Sequence, residues 1–175
     1  MTNNLKLVTA TAIGIALFVV LSLCLQVPVF DNYYLCLGYV AMAVYCWCFG
    51  PASGTVVGVL GVVLYSLLIN GMRGMPGWAL GNVVIGIGLG LTFARTKKLS
   101  SRALRAVICV LAVVVFTAIG ILGVKALVDS LIRSQPFLVR AGMNLYAFVA
   151  DVVVLLVALP VCAAVEPFAK KLLQR

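Results

Sequence analysis

The sequence lacks the side chains on which most enzymes depend. It contains no histidine, and its only acidic residues are Asp31, Asp129, Asp151 and Glu166. Histidine is the commonest acid–base catalyst and a frequent metal ligand, so its absence excludes histidine-based catalysis and histidine-bearing metal sites. We therefore expect a protein that is not an enzyme, with no metal site and no cofactor.

Charged residues are scarce as well, at 10% of the chain, whereas apolar residues make up 65%. Soluble domains are nearer half apolar and a quarter charged, so this composition is typical of a membrane protein. Six spans of about 20 residues would use roughly 120 positions and leave no room for a second domain. The composition predicts an all-α integral membrane protein, a six-transmembrane-helix bundle that forms a single domain over residues 1–175.

The cysteines form no redox or metal motif. Cys46 and Cys48 have one residue between them, Trp47, instead of the two found in redox pairs, and no second pair follows. Most of the six cysteines lie in apolar runs, where cysteine packs as a small hydrophobic residue. We interpret Cys46-Trp47-Cys48 as part of the filling of an apolar helix.

Six apolar runs predict the six spans, and turn residues separate them. Gly50-Pro51 predicts a tight hairpin between the second and third spans, and the glycine- and proline-rich stretch 70–77 predicts a shaped loop. Between the fifth and sixth spans, Lys125, Asp129 and Arg133 recur at every fourth position opposite leucines, which predicts a short interfacial helix. The runs cover residues 5–27, 33–49, 52–69, 78–94, 103–124 and 141–165.

The net charge of +9 indicates an orientation in the bilayer and not a nucleic-acid partner, because the basic residues lie between the apolar runs. Nine Lys and Arg residues fall on one side of the predicted membrane and four on the other. The positive-inside rule then places both termini in the cytoplasm, in a multi-pass protein of the bacterial plasma membrane. The four on the outer side are Arg73, Lys125, Arg133 and Arg140.

Polar and aromatic side chains gather at the outer ends of the predicted spans. An aromatic belt at the membrane interface is one interpretation, but a belt would be expected on both faces. A one-sided cluster favours a pocket for a polar, ring-containing small molecule. The candidate substrate-binding residues are Asn32, Tyr33, Tyr39, Tyr65, Asn70, Arg73, Trp78, Asn82, Asn144 and Asp151.

Spacing gives some of these candidates a more specific role. Trp78 and Asn82 lie one helical turn apart, so an indole for stacking would stand beside an amide for hydrogen bonding. Asp151 lies two turns below Asn144, deeper in the membrane, where an acid is costly and needs a partner. The sequence leaves open whether Asp151 binds substrate or connects helices.

Small residues mark two helix surfaces. Gly54, Gly58 and Gly61 recur at three- and four-residue spacing, which lets a neighbouring helix approach closely. Ala12 and Ala16 form a similar stripe on the first span, and it could serve an internal contact or a partner membrane protein. The chain has no phosphate-binding GxxxxGK[ST] loop, so ATP hydrolysis would have to occur on another chain.

Three stretches, residues 11–20, 49–61 and 77–86, resemble the S components of energy-coupling factor (ECF) vitamin transporters, especially the riboflavin-transporter-like branch. The similarity is clear over residues 5–94. It implies a vitamin site near the outer face, under a lid formed by the loop between the first two spans. It also implies docking through Ala12 and Ala16 on a transmembrane T component with two ATPases, and toppling of the S component in the bilayer.

The substrate stays open, because Val62, Val63 and Ser66 stand where we expect polar or charged residues in this branch. The scarcity of acids disfavours a cationic ligand, and the Tyr, Trp and Asn residues favour a neutral heteroaromatic such as pyridoxine or hydroxymethylpyrimidine. Riboflavin and cobalamin are alternatives. A small ion-coupled secondary carrier and a structural membrane subunit are the alternatives from other functional classes.

Overall fold

The chain folds into a bundle of helices with one small β-hairpin. The computed structural model describes residues 3–24, 27–30, 33–69 and 75–174. Helix α1 spans Asn3–Cys24, and strands β1 (Val27–Phe30) and β2 (Tyr33–Leu35) follow it. The remaining elements are α2 (Gly38–Phe49), α3 (Pro51–Ile69), α4 (Met75–Thr96), α5 (Arg102–Thr117), a π-helical segment (Ala118–Lys125), α6 (Ala126–Arg133), α7 (Phe137–Met143) and α8 (Leu145–Gln174).

The outer surface of the bundle is apolar, as expected for contact with lipid. Leu68, Leu111 and Leu138 are 66%, 57% and 80% exposed, which would be costly in water and is favourable in a bilayer. The expected helical membrane bundle is confirmed at this level. Five segments among the described residues are long and apolar enough to cross a membrane: Leu5–Cys24, Pro51–Ile69, Met75–Thr96, Arg102–Arg133 and Leu145–Lys171.

The second apolar run differs from the prediction of a full-length span. Its helix, α2, has 12 residues, which at 1.5 Å per residue gives about 18 Å, well short of the hydrocarbon thickness. The first residues of the run form β2 instead of helix. Strand β2 pairs with β1 in antiparallel fashion, with Val27 opposite Leu35. Pro28 and the β-branched and aromatic residues around it favour an extended backbone. The segment therefore forms strands where the sequence predicted the end of the first span and the start of the second.

The predicted interfacial helix is wrong in its position. Residues 125–133 continue the fifth span, because α5, the π-helical segment and α6 form one helix over Arg102–Arg133. Lys125 and Asp129 turn toward the bundle, where their charged groups pair at 3.4 Å, while Leu131 is 74% exposed. Ser134, in the left-handed conformation, ends this helix, and the short helix of the region is α7.

The last helix is longer than the sequence predicts. The sixth apolar run stops at residue 165, but α8 continues to Gln174 and contains both Pro160 and Pro167. A proline removes only one backbone donor from a helix, and tertiary contacts can offset that cost. Glu166 provides such contacts, because its carboxylate accepts a hydrogen bond from the Trp47 indole at 2.9 Å.

Glu166 is the centre of a cluster that connects four helices at one end of the bundle. Its carboxylate pairs with Lys170 at 2.9 Å, Lys97 at 3.7 Å and Arg105 at 3.8 Å. The Arg105 guanidinium also lies 4.6 Å from the centroid of the Trp47 ring. Trp47 is therefore more than helix filling, since its indole joins α2 to α8 within this Glu166 cluster.

The predicted hairpin and glycine packing are both confirmed. Gly50, with φ +91°, is the single residue between α2 and α3. A Cβ added at Gly54 would lie 2.7 Å from the backbone nitrogen of Cys46, and one at Gly61 would lie 2.5 Å from the Phe18 ring. The glycine face of α3 thus receives the backbone of α2 at Gly54 and the Phe18 ring of α1 at Gly61. Small residues permit such close packing of helices in a bilayer.

We expect Gly54→Ala to destabilise the fold by about 1–3 kcal/mol, because the new methyl group must displace the α2 backbone. Gly123→Ala is the matched control, since a Cβ there meets nothing within 4 Å. Both substitutions gain similar helix propensity, so the difference reports packing. Unfolding of the two variants in the same detergent measures it, and equal stabilities would contradict the assignment.

Candidate functional site

A hydrogen-bonded network of polar side chains lies at the end of the bundle away from the Glu166 cluster. The Tyr39 hydroxyl accepts a hydrogen bond from Trp78 Nε1 at 2.8 Å and donates one to Asn82 Oδ1 at 2.8 Å. Asn82 Nδ2 in turn donates to the Gly58 carbonyl at 3.0 Å. We call Tyr39, Trp78 and Asn82 the Tyr39 network; it joins α2, α3 and α4.

Local sequence explains how α4 presents this network. Trp78 and Asn82 lie one turn apart on α4, so both reach the same hydroxyl on α2. Gly81 lets α4 approach the π-helical segment, because a Cβ there would lie 2.7 Å from the Gly120 carbonyl oxygen. Asn82 and Tyr39 are fully buried, whereas Trp78 is only partly buried. The indole is therefore the member of the network that an incoming molecule can contact.

Tyr65 extends the aromatic surface beside the indole. Its ring centroid lies 5.9 Å from that of Trp78, and the ring planes meet at 86°, an edge-to-face arrangement. Such a pair is favourable and fixes the orientation of both rings. Three of the predicted aromatic candidates, Tyr39, Tyr65 and Trp78, therefore lie together.

A second group of polar residues adjoins the network. Lys125 donates a hydrogen bond to Asn144 Oδ1 and pairs with Asp129. The Asp151 carboxyl, only 5% exposed, interacts with the Lys125 ammonium and the Tyr39 hydroxyl. We call Lys125, Asp129, Asn144 and Asp151 the Lys125 cluster. Asp151 connects this cluster to the Tyr39 network and so has the partners that an acid within the membrane needs.

The side chains of the other four predicted binding residues are not among those that the structure describes. Tyr33 belongs to β2, but its side chain lies outside the part of the chain that the structure describes. Asn32, Asn70 and Arg73 lie outside the described residues altogether.

Sequence reasoning missed Lys125 as a site residue, because it placed the 125–133 stripe on a surface helix. The i, i+4 pairing of Lys125 with Asp129 was visible in the sequence, but not the direction in which it faces. The Gly58 carbonyl was missed too, and a backbone acceptor leaves no sequence signal.

Aromatic residues are less one-sided than the sequence suggested. Tyr45 and Trp47 lie toward the end with the Glu166 cluster, and the Tyr45 hydroxyl donates to the Ala10 carbonyl at 2.6 Å. A membrane belt consists of surface residues, however, and Tyr39 is completely buried. A belt can describe Tyr146, which is 47% exposed, but it does not describe the Tyr39 network.

The small residues of α1 face outward. Ala12 and Ala16 are both exposed, so neither packs against the described part of the bundle. Ala12 borders an open groove of about 370 Å³ between the first half of α1 and the start of α3. We call this the Ala12 groove; Leu7, Val8, Thr11, Ala12, Ile15, Ala52, Ser53 and Val56 line it.

The groove is apolar in character. The Thr11 hydroxyl is already engaged, since it donates to the Leu7 carbonyl at 2.8 Å. The groove lies near the α2–α3 turn, whereas Tyr39 and Trp78 lie near the starts of α2 and α4, at the opposite end of the bundle. The network reaches along α3 as far as Gly58 through Asn82. The two surfaces are thus separated along the bundle. The described residues contain no group of three His, Cys, Asp or Glu side chains that could hold a metal ion.

Comparison with known proteins identifies the family. Residues 2–166 match the model of the ECF-type riboflavin transporter, S component. The chain belongs to this family. The match covers all the helices that form the Tyr39 network, the Lys125 cluster and the Ala12 groove. Family membership and the apolar helices together identify a multi-pass protein of the cell membrane.

Individual relatives match over a shorter range. A UPF0397 protein of Streptococcus thermophilus (strain ATCC BAA-491 / LMD-9) is 32% identical over 89 residues, 51% of this chain and 49% of the relative. A UPF0397 protein of Lactococcus lactis subsp. cremoris (strain NZ9000) is 33% identical over 94 residues, 53% of this chain and 51% of the relative. The chain spans about half the length of the curated relatives it matches.

Proposed function

We propose that this chain is the substrate-binding S component of an ECF-type transporter and takes up a vitamin or vitamin precursor. The Tyr39 network is the observation that carries the proposal. It holds a partly exposed indole in a fixed orientation with buried hydrogen bonds, as a stacking surface for a ring requires. The family match supports the same assignment.

The substrate is a small heteroaromatic molecule in this proposal, with pyridoxine and hydroxymethylpyrimidine as the first candidates. Trp78 stacks on the ring, Tyr65 contacts its edge, and Tyr39 and Asn82 position the indole. Asp151 on α8 and Asn144, the residue just before α8, contribute polar contacts. Asn32, Tyr33, Asn70 and Arg73 complete the site in the proposal, with the β1–β2 hairpin as its lid.

The Ala12 groove is the proposed docking surface for the T component. Its apolar lining and its exposed alanine suit the close approach of a helix inside a membrane. ATP is hydrolysed by two ATPases bound to the T component. The Lys and Arg bias supports an orientation with the groove toward the cytoplasm and the Tyr39 network toward the outside.

One observation favours a second candidate function, an ion-coupled secondary carrier. Asp151 is a buried ionisable side chain that interacts with the partly buried Lys125, and intramembrane ionisable groups of this kind serve as ion relays in carriers. In the S component the same pair has a different role, because it connects the π-helical segment and α8 to the Tyr39 network.

Reconstitution separates these functions. Freshly purified protein is denatured, and the small molecules released are identified by mass spectrometry. The protein is then placed in liposomes alone, or with the T component and ATPases, and uptake of the identified molecule is measured. We expect uptake only in the complete assembly with ATP. Proton-driven uptake by the chain alone would establish the carrier, and absence of both ligand and uptake would indicate a structural subunit.

A further inference from the structure

The structure contains a buried cation that none of the interactions above explains. Arg140, on α7, is 8% exposed and forms no ion pair with any described residue. Its NH1 group donates to the Met143 sulfur at 4.0 Å, and its Nε has no hydrogen-bond partner among the described residues. A guanidinium does not lose its charge in a protein, so this burial is costly until an anion or acceptor approaches.

A second unpaired donor lies one helical turn further along. Asn144 is 2% exposed, and its backbone nitrogen donates to the Arg140 carbonyl at 3.0 Å, which fixes the one-turn spacing. Its side-chain oxygen accepts from Lys125, but Nδ2 has no partner within the described parts of the chain. Residues at this spacing lie on the same helix face. Two buried N–H groups therefore lack acceptors in one place.

The acids among the described residues, Asp129, Asp151 and Glu166, do not supply the missing acceptors. Asp129 pairs with Lys125, and Asp151 interacts with Lys125 and Tyr39. The other buried side-chain atoms without partners among the described residues are the hydroxyls of Thr55 and Thr117, on α3 and α5. The unpartnered groups beside the Lys125 cluster are thus hydrogen-bond donors, the Arg140 Nε and the Asn144 Nδ2. A ligand group that only accepts hydrogen bonds would satisfy both.

We propose that Arg140 and Asn144 bind a carboxylate group of the imported molecule. A planar guanidinium matches the two oxygens of a carboxylate, and the Asn144 amide adds a further donor. Asn144 links this subsite through Lys125 to Asp151 and so to the Tyr39 network. The inference rests on the proposed function and changes the substrate class from a neutral heteroaromatic to a heteroaromatic acid.

Matched probes that differ at one substituent test the charge requirement. The full chain in nanodiscs is titrated with 4-pyridoxate against pyridoxine and with nicotinate against nicotinamide. We expect at least one acid to bind about tenfold or more tightly than its neutral partner, the range for hydrogen bonds to charged groups. Arg140→Gln should remove this preference and leave the weak binding of the neutral partner unchanged.

Two further variants complete the design. Arg133→Gln removes a cation that is exposed on α6, and it should retain the preference for the acid. Arg140→Lys keeps the charge but not the planar guanidinium, so we expect an intermediate preference for the acid. This variant takes the place of Arg140→Gln if Arg140→Gln does not fold.

Three results would overturn the proposal. They are tighter binding of the neutral partners, no saturable binding of either acid at millimolar concentration, and an Arg140-dependent stabilisation by a short-chain anionic phospholipid alone. Tight binding of pyridoxine with ATP-dependent uptake would reject the carboxylate subsite and still support the proposed S component. Uptake without the T component and ATPases would reject the proposed function itself.

Discussion

Ala12→Trp is expected to reduce uptake by the complete transporter to background while leaving substrate binding by the isolated chain unchanged. Ala12 is exposed and borders the groove between α1 and α3, away from the Tyr39 network. A tryptophan side chain fills much of such a groove and prevents a partner helix from reaching it, because membrane helices pack closely only across small residues. Uptake into proteoliposomes and binding to the detergent-solubilised chain measure the two effects separately.

Ala163→Trp provides the matched control. Ala163 is an exposed alanine on α8, outside the residues that line the Ala12 groove. It should tolerate the same enlargement with uptake unchanged. Copurification of each variant with the T component adds a direct measurement of docking. If the Ala12→Trp variant supports normal substrate uptake and copurifies normally with the T component, the groove is not the docking surface.

Trp78→Ala should weaken substrate binding by about 1–3 kcal/mol, the range for loss of one aromatic stacking partner. The change corresponds to roughly 5- to 150-fold in Kd. The indole is the partly exposed member of the Tyr39 network, and its loss also removes the donor to the Tyr39 hydroxyl. Titration with the molecule identified by mass spectrometry gives the Kd of each variant.

Two further substitutions separate stacking from hydrogen bonding. Trp78→Phe keeps a ring but loses the Nε1 donor, so we expect a loss of affinity smaller than that of Trp78→Ala. Trp47→Phe removes the other tryptophan, whose indole donates to Glu166 at the opposite end, and binding should persist. Unchanged affinity in Trp78→Ala would show that the indole is not part of the binding surface.

The parts of the site that depend on helical periodicity could be predicted from the sequence. Trp78 and Asn82 share a face because they lie one turn apart, and this relation holds wherever the helix packs. The closeness of α3 to its neighbours followed in the same way from Gly54 and Gly61, since removal of Cβ permits contact at backbone distance.

Other features depend on how each helix is rotated, which local spacing does not determine. Lys125 and Asp129 lie on a face that suits either the surface or the interior. The inward direction of Lys125 follows from the partners that the fold brings to it, the Asn144 acceptor and the Asp151 carboxyl, and Asp129 pairs with Lys125 on the same face. Arg140 carries no local signal of burial either, and it is buried in a structure where α7 packs against α6, the π-helical segment and α8.

By itself, the sequence determined that this protein is a helical membrane bundle, because a chain that is 65% apolar with long uninterrupted runs leaves few alternatives. The absence of histidine and the scarcity of acids also limited its chemistry from the start. Only the tertiary structure decided which polar groups meet. The Tyr39 hydroxyl hydrogen-bonds to Asn82, 43 residues away in the sequence, and the Trp47 indole hydrogen-bonds to Glu166, 119 residues away. Such pairs form because a buried polar group in an apolar bundle is stable only when another helix satisfies it.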